Sequence, residues 1–213
     1  MTGGDPLRRV PSFVVQGEPR SPGILNGVSD SLPPSTDPVT VRRASAADAE
    51  ELAAVAAATF PLACPPHVTE EAKADFIRTV LSVERFRGYL ADPGRVLFLA
   101  EDDSGALGYT MLVRGEPSDP EAAVAVTVRP TVELSKCYAL PDRHGSGIAA
   151  RLMAATLDEA RAIGALSVWL GVNQENERAR RFYAKHGFEV VGVRHFLVGG
   201  RLEEDFVLER PLP

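Results

Sequence analysis

The chain has 213 residues, 45% of them hydrophobic and 24% charged, proportions that let a globular domain bury a full core without staples. Its net charge of −6 repels nucleic acid and anionic lipid, and weakly favours a small cationic substrate. The two cysteines, Cys64 and Cys137, form no disulfide framework and share no metal-ligand spacing with the four histidines, so no metal and a reducing cytoplasm are expected.

Residues 1–38 hold Pro6, Pro11, Pro19, Pro22, Pro33, Pro34 and Pro38 among Gly and Ser. Such a stretch buries too little apolar surface to offset its ordering entropy, and a loosely ordered tail is expected before a domain over 39–213. The N-terminus lacks the apolar core of a secretory signal, and no apolar run reaches the ~18 residues of a membrane span.

The domain opens with a short strand at Val39–Arg42. Ser45 then reads as an N-cap, with Asp48 three positions on, for an Ala-rich helix to Phe60, where Pro61, Pro65 and Pro66 break the chain. Thr69 caps a second helix to about Leu81, and Val83–Leu90 forms a third. Strands at Arg95–Glu101 and Ala106–Arg114 flank Asp102-Asp103-Ser104-Gly105, a hairpin signal. A polar loop follows. Val124–Leu140 is mostly β-branched and is interrupted by Pro130, which puts a strand between Thr131 and Leu140.

The period then changes. Ile148, Leu152, Met153, Leu157, Ala160 and Ile163 recur at helical spacing up to Gly164. Leu166–Val172 is a short apolar strand, Asn176–His186 a helix closed by Gly187, and Phe188–Val198 with Leu202–Leu208 a hairpin turning at Gly199-Gly200. The order describes a mixed α/β domain with one parallel strand–helix–strand crossover.

His144-Gly145-Ser146-Gly147-Ile148-Ala149-Ala150 lies between the strand and helix of that crossover. Glycines there let backbone approach a ligand closely, and the free N–H groups and dipole of the helix suit a pyrophosphate. A glycine turn before a helix also occurs without a ligand, so the loop alone leaves both readings open. Gly145-x-Gly147-x-x-Ala150 fits the dinucleotide fingerprint too, but that needs an acid about 20 residues on, at the end of the next strand. Here the strand ends in Gly171-Val172-Asn173, which disfavours a dinucleotide.

The loop resembles the signature of the GNAT superfamily of N-acetyltransferases, Gln or Arg followed by x-x-Gly-x-Gly/Ala, with His144 at the usual first position. A second block, Leu170-Gly171-Val172-x-x-x-Asn176-x-x-Ala179-x-x-Phe182-Tyr183-x-Lys185-x-Gly187-Phe188, resembles the same family's strand–helix motif. The resemblance covers about Val39 to Pro213. Glu133-Leu134-x-Lys136-x-Tyr138-x-Leu140-Pro141 and Gly192-x-x-His195-Phe196-x-x-Gly199 with Asp205 are similar to the PaiA-type polyamine acetyltransferases.

The resemblance implies a mostly antiparallel central sheet with a splayed parallel pair and helices on both faces. It also implies direct transfer of an acetyl group from acetyl-CoA, as cosubstrate, to an amine. Its cofactor contacts fall on the backbone of Cys137, Tyr138 and Ala139 along the pantetheine arm, on His144, Gly145, Ser146, Gly147, Ile148, Ala149 and Ala150 at the pyrophosphate, and on Asn176 and Tyr183. Tyr183 is the implied catalytic proton donor to the departing thiolate, since a phenol with an ordinary pKa near 10 suits that task. Phe182 is the better candidate for packing under the sheet. Some branches carry a glutamate base where this chain has Gly171; Glu133 is the replacement candidate, with Glu175, Glu177 and Asp205 behind it. Strict alternation sets Glu133, Ser135 and Cys137 on one face of their strand and Leu134, Lys136 and Tyr138 on the other, unless a bulge intervenes. His195 and Asp205 could face each other across the last hairpin. His67 and the acids Glu70, Glu71 and Asp75 are looser candidates for contacts to a cationic substrate.

The acceptor expected is a small-molecule primary amine, with no nucleic acid or membrane partner and a homodimer as a possible assembly. Acetylation of a protein N-terminus or lysine is the alternative, and a non-catalytic acyl-CoA-binding regulator the second.

Overall fold

A computed structural model describes residues 38–64, 68–140, 147–198 and 201–213. The tail up to residue 37, His67, the loop residues His144, Gly145 and Ser146, and the Gly199-Gly200 turn lie outside the described residues.

Strand β1 (Thr40–Arg43) runs into a 3-10 turn and helix α1 (Ala49–Ala63). The Ser45 N–H donates to Asp48 Oδ2 at 2.6 Å, and Arg42 donates to both Asp48 oxygens at 2.8 Å. α1 passes Pro61 instead of stopping at Phe60. A proline in the last turn removes one N–H, and the remaining residues of that turn stay helical to Ala63. Helices α2 (Glu70–Val80) and α3 (Val83–Ala91) begin at Thr69 and Ser82, whose hydroxyls accept from the Ala72 and Arg85 N–H groups.

Strands β2 (Arg95–Asp102) and β3 (Gly105–Arg114) form the expected hairpin, with Gly105 at φ 112° closing its turn. The expected polar loop contains helix α4 (Pro120–Ala125), so Val124 is helical rather than the start of an extended stretch. Asp119 Oδ1 accepts from the Glu121 and Ala122 N–H groups at 3.0 Å each, and Pro120 fills a first-turn position where no N–H is needed. Then come β4 (Thr131–Ala139), α5 (Ile148–Ala162), β5 (Ser167–Asn173), α6 (Glu177–Lys185), β6 (Glu189–Val198) and β7 (Arg201–Pro211). Gly164 and Gly187, both at positive φ, end α5 and α6.

The seven strands form one sheet in the order β1-β2-β3-β4-β5-β7-β6. Among the described residues only β4 and β5 pair in parallel, joined across α5. α1 and α3 cover one face over Leu97, Leu99, Tyr109, Met111 and Tyr138, and α4 covers Trp169 and Val207 on that same front face. α5 and α6 cover the back, over Leu134, Cys137, Val168, Leu170 and Val172.

Strict alternation fails in β4. Met111 pairs with Lys136 but Leu112 pairs with Leu134, so Ser135 is the extra residue of a bulge. Beyond it the faces exchange. Glu133, Lys136 and Tyr138 share the front face, opposite Val113, Met111 and Tyr109 in turn, while Leu134 and Cys137 face back.

Candidate functional site

The site is a fork in the sheet. β4 and β5 pair only from Thr131–Ser167 to Glu133–Trp169, and no further β4–β5 ladder pair occurs among the described residues. β5 stays paired with β7 over its whole length, from Ser167–Pro211 to Asn173–Asp205. The bulge at Ser135 bends β4 away from it. The β4 edge beyond the bulge, from Lys136 to Ala139, therefore offers backbone N–H and C=O groups to an extended ligand in place of a strand. At its far end Gly147 takes the left-handed conformation at φ 74° and starts α5, with open space where a Cβ would stand. Ile148 and Ala149 are buried against the sheet, and Ala150 is exposed. α5 has no acidic residue in its first turn to oppose an anion there.

Tyr183 stands on α6 behind the fork. It is 0% exposed, packed edge-on to Phe188 with ring centroids 5.6 Å apart, and its hydroxyl has no hydrogen-bond partner among the described residues. Burial pushes its phenol well above the ordinary range; Cys137 and Tyr138 on one arm of the fork and Asp205 beside the other add to the shift. A phenol so placed keeps its proton at neutral pH and can give it to an anion that forms beside it. Contrary to expectation, Tyr183 is the fully buried aromatic, and Phe182 is only partly covered beside His186. Asn176 caps α6, its Oδ1 accepting from the Ala179 N–H at 3.0 Å. Cys137, its thiol pushed up to about 12 by burial, and Ala139 are buried wall residues. Tyr138 stacks on Tyr109 at 5.5 Å.

On the front face Glu133 sits at the closed end of the fork, beside Trp169 in register, with Oε1 buried. Lys136 is 1% exposed, with Nζ 5.9 Å from the centre of the Tyr89 ring. Arg95 lies over that ring at 4.9 Å and is held by Asp92 at 3.0 Å. Glu175 and Glu177 are exposed. Glu70, Glu71 and Asp75 are an exposed helix face, with Glu70 bound to Lys73 and Asp75 to Arg78. His67 lies outside the described residues.

Asp205 is not the partner of His195. The register sets Arg194 opposite Asp205 and His195 opposite Glu204, one position along. Arg194 donates to Asp205 Oδ2 at 3.0 Å, and both side chains are nearly inaccessible. The guanidinium lies across Gly171 and 5.8 Å from the Trp169 ring. A cation thus occupies the space above Gly171, where a glutamate side chain would have to stand. His195 instead links α4 to the hairpin. Its N–H donates to Glu121 Oε2 at 2.6 Å, and its ring nitrogens lie 2.9 Å from Glu121 Oε1 and 3.1 Å from Glu204 Oε1. Neither Lys136 nor Arg194 was assigned a role from sequence. The signals available were a lysine inside an apolar strand and a glycine in a fully buried one.

The buried phenol, the open β4 edge and the helix N-terminus after Gly147 fit a CoA thioester laid along β4. The described residues include no group of three or more His, Cys, Asp or Glu side chains able to hold a metal, and no helix among them is long and apolar enough to cross a membrane.

Comparison with known proteins bears on that fit. The family model described as the acetyltransferase (GNAT) family matches residues 57–188. An uncharacterized N-acetyltransferase of Mycobacterium tuberculosis (strain ATCC 25618 / H37Rv) is 52% identical over 165 residues, spanning 78% of this chain and 98% of the relative. Among solved structures, a PaiA N-acetyltransferase from Thermoplasma acidophilum in complex with coenzyme A superposes with a TM-score of 0.65 at 22% identity, covering 82% of this chain and 99% of that one. A ribosomal-protein-alanine N-acetyltransferase from Brucella melitensis superposes at 0.60 and 22% identity, covering 81% and 99%.

Proposed function

The chain belongs to the GNAT family of acetyltransferases, whose acetyl donor is acetyl-CoA; from that premise we propose that it acetylates a small primary amine, of the polyamine class, approaching from the front of the fork. The observation that carries this is the buried Tyr183 hydroxyl on α6 behind the fork, close to Cys137 and Tyr138 and with no partner among the described residues. We propose the cytoplasm, where a reducing pool keeps Cys64 and Cys137 as thiols, as its compartment.

Acetyl-CoA supplies an activated acetyl group. The edge of β4 at Cys137, Tyr138 and Ala139 holds its arm by backbone hydrogen bonds, and an N–H of this edge stabilises the carbonyl oxygen as negative charge builds on it. Loop residues 144–146 with Gly147, Ile148, Ala149 and Ala150 hold the pyrophosphate, and Asn176 orients the arm while capping α6. Glu133 takes a proton from the acceptor ammonium, directly or through one water, and Tyr183 gives its proton to the departing sulfur. The resemblance to PaiA-type enzymes and the negative net charge support a cationic acceptor.

The test is a thiol-release assay with acetyl-CoA across polyamines, other small amines, amino acids and short peptides, run on wild type and Tyr183→Phe. Turnover of small amines is expected, with a loss of about 100-fold in kcat for the variant. Thermal stability of Tyr183→Phe should be unchanged or slightly higher, because the hydroxyl it loses has no partner among the described residues. Full turnover in Tyr183→Phe would sink the proton-donor role, and preference for peptides would replace the acceptor class.

A further inference from the structure

The bulge at Ser135 brings two ionisable side chains onto the front face of one strand, Glu133 at the closed end of the fork and Lys136 just beyond it. With Ser135 extruded they stand two ladder positions apart, roughly 7 Å along the strand. Lys136 is nearly inaccessible, and an apolar side chain of its volume would fill the same space without burying an amine. Its neighbours are known from each side. Glu133 and Tyr138 come from β4, Tyr109 and Met111 from β3, Arg95 from β2 and Tyr89 from α3; Cys64 approaches Tyr138 from the end of α1, and α2 contributes the apolar Phe76 and Ile77. Among these, Glu133 is the group that favours the charged form of Lys136. Burial first and Arg95 second oppose it, and the balance brings the amine down to about 7.

Resting on the amine-acetyltransferase reading above, we propose that Lys136 is a positioning residue for acceptor deprotonation, its ammonium keeping the Glu133 carboxylate ionised as the proton acceptor. In that step an N–H bond of the acceptor ammonium breaks and an O–H bond forms on Glu133. The freed electron pair stays on the amine nitrogen, and the proton passes to solvent before the next cycle. The interaction has a definite sign. A cation on the same buried face lowers the proton affinity of a carboxylate, so Glu133 remains a competent base further into acid.

The decisive measurement is the pH profile of kcat/KM for wild type, Lys136→Met and Lys136→Arg with the best amine found in the screen. The acid limb should move up by about one pH unit in Lys136→Met and stay in place in Lys136→Arg. Activity lowered equally at every pH, with the limb unmoved, would mean that Lys136 only packs. Wild-type turnover in Glu133→Gln alongside loss in Lys136→Met would also overturn the proposal, because Lys136 would then be taking the proton itself. A second readout needs no turnover. With carbon-13-labelled lysine, the NMR midpoint of Lys136 in the free protein should lie near 7 and fall by about one unit in Glu133→Gln. An unmoved midpoint would show the two groups to be uncoupled. If wild type acetylates no amine at all, the proposed function fails, whereas the NMR shift still decides whether Lys136 and Glu133 act on each other.

Discussion

Adding one methyl group at Gly171 should damage this fold more than most single changes. A Cβ there would lie 2.2 Å from Arg194 Nη2, 2.4 Å from Cζ and 2.6 Å from Nε, where ordinary contact begins at 3.4 Å. The guanidinium must then move by about 1.2 Å, the difference between 3.4 and 2.2 Å. It has little room to do so, since it is held to Asp205 at 3.0 Å beside the Trp169 ring, with side chains 5% and 0% exposed. A displacement of that size directed away from Asp205 stretches the 3.0 Å contact to about 4.2 Å, beyond hydrogen-bonding range. Separating a buried ion pair costs about 3–5 kcal/mol, and replacing a strand glycine by alanine returns about 0.5–1 kcal/mol. The net expectation for Gly171→Ala is a loss of about 3 kcal/mol, read as a fall of roughly 6–12 °C in Tm for a domain of this size. Urea and thermal unfolding of wild type, Gly171→Ala, Arg194→Ala and the double variant complete the cycle. In the Arg194→Ala background the alanine at 171 should cost nothing and return about 0.5–1 kcal/mol, because the atoms it strikes are gone. A loss below about 0.5 kcal/mol in the wild-type background would refute the reasoning, as it would mean that the guanidinium relocates freely.

Two further outcomes concern pH. Asp48, held well below the usual carboxylate range chiefly by its hydrogen bonds to Arg42, contributes stability that is present above about pH 4 and is lost as pH falls below it. Asp48→Asn should therefore lower the urea midpoint at pH 7, by an amount that begins to shrink below pH 4, is mostly retained at pH 3 and disappears only in stronger acid; a penalty that starts to fall well above pH 4 would contradict the assignment. His195 is raised above its ordinary value by hydrogen bonds to Glu121 first and Glu204 second, so the link between α4 and the last hairpin is strongest below pH 6.5 and weakens as pH rises through the folded midpoint. A proton NMR titration should find that midpoint above 6.5 and lower in Glu121→Gln; a midpoint indifferent to Glu121 would dissolve the link.

Most elements of this chain are written in local chemistry. Caps such as Ser45, Thr69 and Asn176, and the positive-φ glycines that end α5 and α6, act within a few residues of themselves, so their helices were legible along with the hairpin at Gly105. α4 was equally local, in Asp119-Pro120-Glu121, but six residues is short for a periodic signal. The two family motifs likewise lie in single stretches, one across the loop into α5 and one from β5 through α6. The orientation of the site did not follow from such stretches. Which face Glu133, Lys136 and Cys137 take depends on the extra residue at Ser135, and that depends on the register against β3, not on anything within β4. The cation above Gly171 comes from a strand more than twenty residues away, and Asp205 meets Arg194 rather than His195 because of a single step in the β6–β7 pairing. Local sequence determined the elements and the family, since caps, turns and motifs act over short distances. Pairing between distant strands decided what each charged side chain faces, because a one-residue change of register turns a side chain to the opposite side of the sheet.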